Sequence, residues 1–480
     1  MLEETTLQDL APGLERCFFF DAVEESYEIT GITGQVPAWL RGFYYVNSPA
    51  RFEREGRRYR NWLDGDGMVS SLHFSEAGVR YTSRFVQTRK LQEEEAAGAF
   101  LFRAFGTAFP GDRLRRNLLL EPPNNLAAFR LGDILLALCE VALPIELDPV
   151  TLETRGEFDF HGKLNEVSPF AAHAKFDPSN GNMVNFGVSF SPQQPVLNIY
   201  EFDRCGNQLR RSRYPVELPH ANHDFGITSR HCVFLLSPFL LDFDRFLHDG
   251  VSVMDALCWE PERGSRIFVA PRDPKAETPF AVPAGSSGHC LHWINSYEEG
   301  RLLTLDIIES EAPVYGEYQV LPDMYTTVSP SRPVRYRIDL DARKLVERLP
   351  LDYDRTPDFC SVDMNLVSRP YNDFWSLGIS ASGIRGRKFT DQLAHGSWQG
   401  GGVSDLYQAP RGEYLCGDPA YAGNPKDPGE GVVIVEYLKP LADEASFLLF
   451  DALDVKRGPI ARLPLRHRRH PGVHASFCPQ

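Results

Sequence analysis

Short apolar segments rich in β-branched and aromatic residues recur along the whole chain. They include GFYYVN, VRYTSRFV, RLLTLDII and GVVIVEYL, with Gly, Pro, Asn or Asp close to their ends. Short segments of this composition between turn-forming residues are typical of β-strands. Long amphipathic helical stretches are nearly absent, and the clearest short helix candidate is Phe239–His248. The pattern therefore predicts an all-β protein.

The turn-forming residues are spread evenly, with 36 prolines, 38 glycines and no low-complexity linker. We therefore expect one domain over residues 1–480. An all-β chain of this length without a seam favours a β-propeller, because radial repetition of small sheets limits the number of exposed strand edges. No motif with a fixed period is visible, so the pattern alone leaves a double sandwich as the alternative.

Composition and charge exclude some classes of function. A chain of 480 residues with 42% hydrophobic residues can bury a large core, which predicts a globular protein. The net charge of −15 argues against a nucleic-acid partner, because phosphate binding needs a basic face. The same charge weakens electrostatic docking on an anionic membrane.

Targeting signals and cysteine usage suggest a cytoplasmic protein. The acidic beginning, MLEETTLQDLAPG, lacks the basic and then apolar plan of a secretory signal. The best apolar run, Cys232–Leu241, is interrupted by Ser237 and Pro238, and it is shorter than the roughly twenty residues of a membrane span. The nine cysteines include no C-x-x-C pair, which fits reduced thiols better than a zinc knuckle or a disulfide framework.

Four histidines lie in strand-like segments that are far apart in the sequence. They are His173 in AAHAKF, His223 in NHDFGIT, His292 in LHWINSYEEG and His474 in GVHASF. Such separations rule out a local metal-binding clip, so only a closed architecture could bring these side chains together. A propeller does this, because the inner strand of each blade runs along one central axis.

The same segments carry a resemblance to a known family. WLDGDGMVSSLHF, AAHAKFDPSNG, NHDFGIT, LHWINSYEEG, GDPAYAG and GVHASF resemble motifs of the carotenoid cleavage oxygenases, in the same order, from about Gly34 to the last few residues. The resemblance implies a seven-bladed β-propeller with one iron(II) on its axis, held by His173, His223, His292 and His474. It also implies loops and short helices that cap a hydrophobic substrate tunnel, and cleavage of a conjugated double bond by dioxygen.

Two neighbouring histidines have to be distinguished from the candidate ligands. The family segment places an Asn three residues after the ligand, which fits His292 with Asn295 and does not fit His289. Residues three apart on a strand face opposite sides, so at most one of these two histidines can face the axis. The HDFGIT register likewise selects His223 over His220. We expect His289 and His220 to point elsewhere.

The resemblance also implies carboxylates behind three of the ligands. Glu140 in LCEVALP matches a family glutamate and is expected to serve His223. Asp358 and Asp418 match two further glutamate positions, with His292 and His474 as their expected partners. Each is one methylene shorter, so we expect either closer strands or a bridging water. Asp418 is alternatively a turn residue before Pro419.

The chemistry of four neutral imidazoles favours iron as the metal. Without an anionic ligand the ion keeps its full charge, and coordination positions stay open for dioxygen. Zinc also accepts imidazoles but has no redox chemistry to offer oxygen.

The sequence DGDG from Asp64 to Gly67 is not a calcium loop, because the twelfth position from Asp64 is Ser75 and no bidentate Glu follows.

An aromatic-rich stretch, Ala97–Gly111, is too apolar for an ordinary surface loop. Enzymes of the resembling family dip an apolar segment near the tunnel mouth into membranes. We therefore expect peripheral membrane contact here, with ordinary propeller core as the alternative. The expected patch consists of Phe100, Leu101, Phe102, Phe105 and Phe109.

The expected substrate is a carotenoid or an apocarotenoid that O₂ cleaves to two carbonyl products. Stilbene-cleaving members of the resembling family grip and deprotonate a phenol with a Tyr and a Lys, and this chain places Phe105 and Cys139 there. Neither side chain can ionise a phenol. The alternatives are stilbene cleavage, isomerohydrolase chemistry on retinyl esters, and a non-catalytic propeller that binds carotenoid or protein.

Overall fold

A computed structural model describes residues 7–140, 142–189, 194–318 and 320–480 of the protein. Within these ranges, seven antiparallel sheets of four or five strands stand in a ring, together with two short hairpin-like pairs. The protein is a seven-bladed β-propeller. This confirms the predicted all-β propeller and rules out the double sandwich.

Each blade is assembled from consecutive strands, apart from the first, the fourth and the last. Blade one contains Glu25–Glu28, Gly42–Ala50, Asp66–Ser75, Gly78–Phe85 and Ala475–Pro479. Blade two contains Ala127–Leu131, Ile134–Leu138, Ile145–Leu147 and Thr154–Glu157. Blade three contains Lys175–Phe176, Met183–Ser189, Val196–Phe202 and Gln208–Pro215. Blade four contains Gly226–Ile227, His231–Leu236, Arg266–Pro271 and Phe280–Pro283.

The remaining blades complete the ring. Blade five contains His289–Glu299, Leu302–Ser310, Ser331–Asp339 and Lys344–Pro350. Blade six contains Asp358–Ser361, Asp373–Gly378, Gln392–Ser397 and Gly402–Gln408. Blade seven contains Thr33–Gly34, Tyr414–Asn424, Asp427–Lys439, Glu444–Asp451 and Ala461–Pro464. The two extra pairs are Glu53–Arg54 with Arg57–Arg58, and Phe239–Leu241 with Leu257–Trp259.

Helices are short and lie in the connections. The α-helices are Arg89–Ala97, Phe243–His248 and Val253–Ala256. The 3₁₀ helices are Leu14–Cys17, Trp62–Asp64, Pro261–Arg263, Tyr315–Tyr318, Met364–Leu366, Pro440–Ala442 and Val455–Arg457. None of the described helices has the length and apolarity that a membrane crossing requires.

The helix candidate Phe239–His248 is only partly helical. Its first three residues form a strand, and the helix begins after Asp242, whose carboxylate accepts a hydrogen bond from the backbone N–H of Arg245. Aspartate is a favoured residue at this position because it satisfies an otherwise free N–H group. The α-helix Arg89–Ala97 was not anticipated; it begins after Thr88, whose hydroxyl accepts from Leu91, and it ends at Gly98 with a left-handed φ of 67°.

The last strand closes the ring. Ala475–Pro479 pairs with Gly42–Val46 and is the innermost strand of blade one. Strands in the middle of a blade are covered on both faces by the neighbouring blades. Their side chains are therefore apolar on both faces and do not alternate with polar ones. His231–Leu236 in blade four is buried along its whole length for this reason. All nine cysteines are free thiols, as expected.

The expected membrane patch is wrong for two of its five residues. Phe100 and Phe102 are 5% and 3% exposed, and Phe100 stacks on Tyr59 with ring centroids 3.9 Å apart. Leu101, Phe105 and Phe109 are half-buried, and both of these phenylalanines pack against the main core cluster. The stretch is therefore mostly core.

Asp64, in the DGDG sequence, holds this aromatic stretch in place. Its carboxylate accepts hydrogen bonds from the backbone N–H of Gly106 at 2.7 Å and from the Thr107 hydroxyl at 2.6 Å. The sequence excluded a calcium loop here, and the buried carboxylate instead joins two distant segments.

One buried histidine makes the fold sensitive to acid. His470 donates from Nδ1 to the backbone carbonyl of Cys17 at 2.9 Å and stacks on Phe20, which ties the beginning of the chain to its end. Burial lowers the pKa of His470 from 6.5 to about 3. Below pH 6.5, His470 therefore takes up a proton in the unfolded chain but stays neutral in the folded chain. The free energy of unfolding decreases for this reason as pH falls from 6.5 towards 3.

We predict that His470→Asn reduces this sensitivity, because an asparagine amide can keep the bond to Cys17 but does not titrate. Between pH 7.5 and 5, the free energy of unfolding of the unmodified protein should fall by about 2 kcal/mol more than that of the variant. Urea unfolding followed by tryptophan fluorescence at both pH values measures the difference. Equal losses in the two proteins would contradict the role of His470.

Candidate metal centre

The four candidate histidines meet at one point. His173, His223, His292 and His474 are all buried, and each offers a ring nitrogen that lies within 4.8 Å of the others. His173 is central in the group, with ring centroids 4.5, 5.3 and 4.3 Å from the other three in sequence order. Segments from four blades thus bring their imidazoles together.

The ring nitrogens in the middle of this cluster fit a bound cation. Nε2 of His173 lies 3.0 Å from Nε2 of His223. Nε2 of His292 and of His474 is buried and has no hydrogen-bond partner among the described residues. Two imidazole nitrogens that bind one metal at about 2.1 Å and at right angles would be about 3 Å apart. The donor set therefore suits a divalent metal ion.

Electrostatics keep the central imidazole ready to bind. Burial, together with the other three imidazoles, lowers the pKa of His173 well below its usual value. The ring is therefore neutral at pH 7, and a neutral ring nitrogen has the lone pair that a metal requires.

A carboxylate lies behind each of the other three imidazoles. Glu140 contacts Nδ1 of His223, and Asp358 contacts Nδ1 of His292. Oδ2 of Asp418 lies 3.1 Å from Nδ1 of His474. A carboxylate at Nδ1 accepts the N–H there and leaves Nε2 free to face the centre. Both aspartates reach their histidines directly, without a bridging water.

Irregular backbone brings the two shorter carboxylates within reach. The strand Tyr414–Asn424 has a register shift between Cys416 and Ala420, and Gly417 has a left-handed φ of 69°. Asp418 lies in this bulge, so it has a structural role as a turn residue and a contact with His474 as well. Asp358 begins a strand whose register also shifts, and Phe359 after it has a φ of 51°. Bulges of this kind re-aim side chains.

The two excluded histidines lie outside the cluster, but the strand-parity argument for one of them does not hold. The strand His289–Glu299 shifts register between Cys290 and Trp293, so regular alternation is interrupted between the two histidines. His289 instead packs edge-on against Phe239, with ring centroids 5.5 Å apart. His220 donates from Nδ1 to the backbone carbonyl of Ser237 at 2.7 Å.

Sequence reasoning missed two residues beside the cluster. Oδ2 of Asp224 lies 3.8 Å from Nδ1 of His173, while Oδ1 forms a 2.7 Å ion pair with Lys175. Asp224 follows His223 directly, so its position in NHDFGIT was an available signal. Tyr315 lies with its ring centroid 5.9 Å from that of His223. It belongs to a connection between strands of blade five, where no motif marked it.

Two cavities meet the cluster from different sides. The first reaches His223 and Glu140 and has a mostly apolar wall that includes Phe105, Cys139 and Tyr315. Lys90 also lines it, but two carboxylates, those of Asp66 and Glu94, hold its ammonium group. The second cavity touches the other three histidines, and its more polar wall includes the Lys175–Asp224 ion pair. An apolar ligand therefore fits the first cavity.

A propeller with four buried imidazoles on its axis and an apolar cavity beside them defines a class of metal-dependent enzymes. Residues 19–479 match the family model described as retinal pigment epithelial membrane protein, RPE65. The chain therefore belongs to the RPE65 family, the carotenoid cleavage oxygenases. The resemblance drawn from the sequence motifs is confirmed.

The individual relatives are enzymes with different named activities. Isoeugenol monooxygenase of Pseudomonas nitroreducens is 27% identical over 94% of both chains. Lignostilbene-alpha,beta-dioxygenase isozyme III of Sphingomonas paucimobilis is 27% identical over 93% of both chains. Apocarotenoid-15,15'-oxygenase of Synechocystis is 28% identical over 95% of this chain and 94% of its own. This chain is likewise an oxygenase, which disfavours a non-catalytic binding propeller.

Solved structures show the same architecture. A cobalt-substituted Synechocystis apocarotenoid oxygenase superimposes with a TM-score of 0.88 at 25% identity, over 98% of this chain and 100% of its own. The substituted metal in that relative supports the interpretation of the histidine cluster as a metal centre.

Glu140→Gln tests the carboxylates. A neutral amide orients the imidazole of His223 less well and offsets no charge, so we predict a loss of roughly 10–100-fold in metal affinity. Competition with a chelator, followed by metal analysis of the protein, measures it. Glu146→Gln, in a strand of the same blade and paired with Arg155 at the surface, is the matched control and should bind metal like the unmodified protein. Equal metal retention in both variants would contradict the role of Glu140.

Proposed function

We propose that the protein is an iron(II)-dependent dioxygenase that cleaves a conjugated C=C bond of a carotenoid or apocarotenoid to two carbonyl products. One observation supports this above the others: four buried imidazoles lie together, three of them with a carboxylate at Nδ1 and not at Nε2, and one of these three, His223, lines an apolar cavity. The substrate would lie in that cavity with its reacting bond near the four ring nitrogens.

His173, His223, His292 and His474 would hold the metal. When bound there, iron(II) supplies redox chemistry with dioxygen, which zinc cannot offer. Neutral ligands leave the ion its charge and open positions. A solved relative is described as cobalt-substituted, so the choice of iron rests on this redox requirement and not on fit alone.

The remaining residues of the site would position the histidine ligands and the substrate, and they would keep water away from the reacting bond. Asp358 and Asp418 accept the Nδ1 hydrogens of His292 and His474, and Glu140 lies against Nδ1 of His223, which fixes the tautomer and the ring orientation. The apolar cavity wall orients the substrate and excludes water from the reacting bond. Cleavage of a hydrocarbon double bond to two carbonyls needs no proton transfer from a side chain.

The cavity wall favours a polyene over a phenol that must ionise. Cys139 lies in the wall, and its burial raises the pKa of its thiol to about 12, so it carries no charge. Phe105 lies in the same wall and has no polar group. A polyene gains instead from burial of apolar area, at roughly 25 cal/mol per Å².

Hydroxystilbene or phenylpropenoid cleavage is the second candidate. The relatives named lignostilbene dioxygenase and isoeugenol monooxygenase match 93% and 94% of this chain, against 95% for the apocarotenoid enzyme, at nearly the same identity. Similarity to these proteins therefore does not separate the two substrate classes.

We propose that the protein contacts lipid at the mouth of the first cavity. A polyene substrate would be collected from the membrane there. Leu118 lines the cavity and is 39% exposed. A neighbouring cluster with Phe243, Leu247 and Val253 is only partly buried. These residues replace Phe100 and Phe102 in the predicted patch; a cytoplasmic location stays a prediction.

The substrate proposal is tested by turnover. Protein reconstituted with iron(II) under anaerobic conditions is then given air and a panel of carotenoids, apocarotenals and hydroxystilbenes. We predict aldehyde products from a carotenoid or an apocarotenoid and negligible products from lignostilbenes or resveratrol. Product analysis by chromatography and mass spectrometry measures this. Faster cleavage of a hydroxystilbene than of every polyene would contradict the polyene assignment and support the second candidate.

A double variant links the outcome to the cavity wall. Phe105→Tyr with Cys139→Lys introduces the pair that grips a phenol, so hydroxystilbene turnover should rise and polyene turnover should fall. Each single variant is the control, because Tyr or Lys alone should not shift turnover from polyenes to hydroxystilbenes. An unchanged substrate preference would show that these two positions do not set it.

A further inference from the structure

We propose that His220 binds a hydroxyl group of the substrate by accepting its hydrogen bond, so that the cavity selects a hydroxylated conjugated molecule. The inference deepens the proposed function and rests on it in one respect, since it takes the first cavity as the substrate site. It assigns a role to a histidine that lies outside the metal cluster.

The tautomer of His220 follows from its one hydrogen bond. Nδ1 lies 2.7 Å from the backbone carbonyl oxygen of Ser237, and a carbonyl can only accept, so Nδ1 carries the hydrogen. Burial lowers the pKa of the ring, which is therefore neutral at pH 7. Nε2 then has a bare lone pair and can only accept a hydrogen bond.

This acceptor has no partner among the described residues, and the side chain that carries it is mostly buried. His220 is 9% exposed and lines the first cavity, and Nε2 makes no hydrogen bond with any residue that the structure describes. Leu241, Phe243 and Val188 are among the wall residues of the same cavity and have no side-chain donor. An acceptor without a protein partner on a cavity wall can take a hydrogen bond from a ligand or a water in the cavity.

Two other polar side chains of the cavity wall are already engaged. Both amide hydrogens of Asn125 go to backbone carbonyls, those of Leu63 and Gly65. The ammonium group of Lys90 is held by two carboxylates. His220 is thus a free acceptor in a mostly apolar wall, which is how a specific polar contact in a ligand cavity is built.

The chemistry of the acceptor restricts the ligand. Hydrocarbons, ethers, aldehydes and ketones have no hydrogen to donate, whereas an alcohol or a phenol does. The ligand is therefore a conjugated molecule with an O–H group, either a hydroxylated end ring of an apocarotenoid or the phenol of a hydroxystilbene. A neutral imidazole binds either one without removing its proton, so the missing Tyr and Lys pair is not required.

Two substitutions separate binding from a structural role. In His220→Asn the amide nitrogen can occupy the place of Nδ1 and keep the bond to Ser237, while the acceptor at Nε2 is lost. In His220→Gln the longer side chain carries its oxygen to the place of Nε2, while the bond to Ser237 is lost. A merely structural histidine would be replaced better by Asn, and a ligand acceptor better by Gln.

Affinity is measured on the full-length, iron(II)-loaded protein under anaerobic conditions, where no turnover occurs. The probes form two matched pairs: 3-hydroxy-β-apo-8′-carotenal with β-apo-8′-carotenal, and 4-hydroxystilbene with 4-methoxystilbene. We expect the hydroxylated member of one pair to bind roughly tenfold more tightly, the value of one hydrogen bond. This preference should vanish in His220→Asn with unchanged affinity for the other member, and His220→Gln should restore most of it.

The outcomes are distinct. No preference for the hydroxylated member in either pair, a preference that survives His220→Asn, or an equal loss for both members would overturn the proposal. The pair that shows the preference identifies the source of the hydroxyl. Binding is read without cleavage, so failure of the proposed cleavage reaction in the aerobic assay would leave a positive result for His220 intact.

Discussion

Closure of the ring is the constraint on which the site depends. Ala475–Pro479 pairs with Gly42–Val46, and this pairing carries His474 to the axis. The backbone N–H of His474 donates to Leu126 of blade two, and its carbonyl accepts from Asn47 of blade one, so the residue is held from both sides. A ligand set that spans residues 173 to 474 can form only after this closure, which couples metal binding to the completed fold.

Every blade supplies one group to the centre. Blades three, four, five and one supply His173, His223, His292 and His474, while Glu140, Asp358 and Asp418 come from blades two, six and seven. Buried imidazoles without partners are costly, and the carboxylates behind them offset part of the charge of a divalent ion. Each of the seven sheets thus contributes one histidine or one carboxylate to the buried, charged site.

The sequence predicted the strands, and the motifs predicted the histidine cluster, because both depend on local composition and order. It could not predict the register shifts, which arise where strands meet across the sheet. Those shifts invalidate the parity argument for His289, and they let Asp358 and Asp418 make contacts that their shorter side chains did not suggest. The burial of Phe100 and Phe102 depends on tertiary neighbours such as Tyr59, so apolar composition alone misassigned them.

The most direct test of the account is a crystal structure of the iron(II)-loaded protein with diffraction data collected at the iron absorption edge. The account predicts a single anomalous peak on the propeller axis, about 2.1 Å from Nε2 of His173, His223, His292 and His474. A peak that any of these four nitrogens fails to reach, or iron bound elsewhere in the protein, would contradict it.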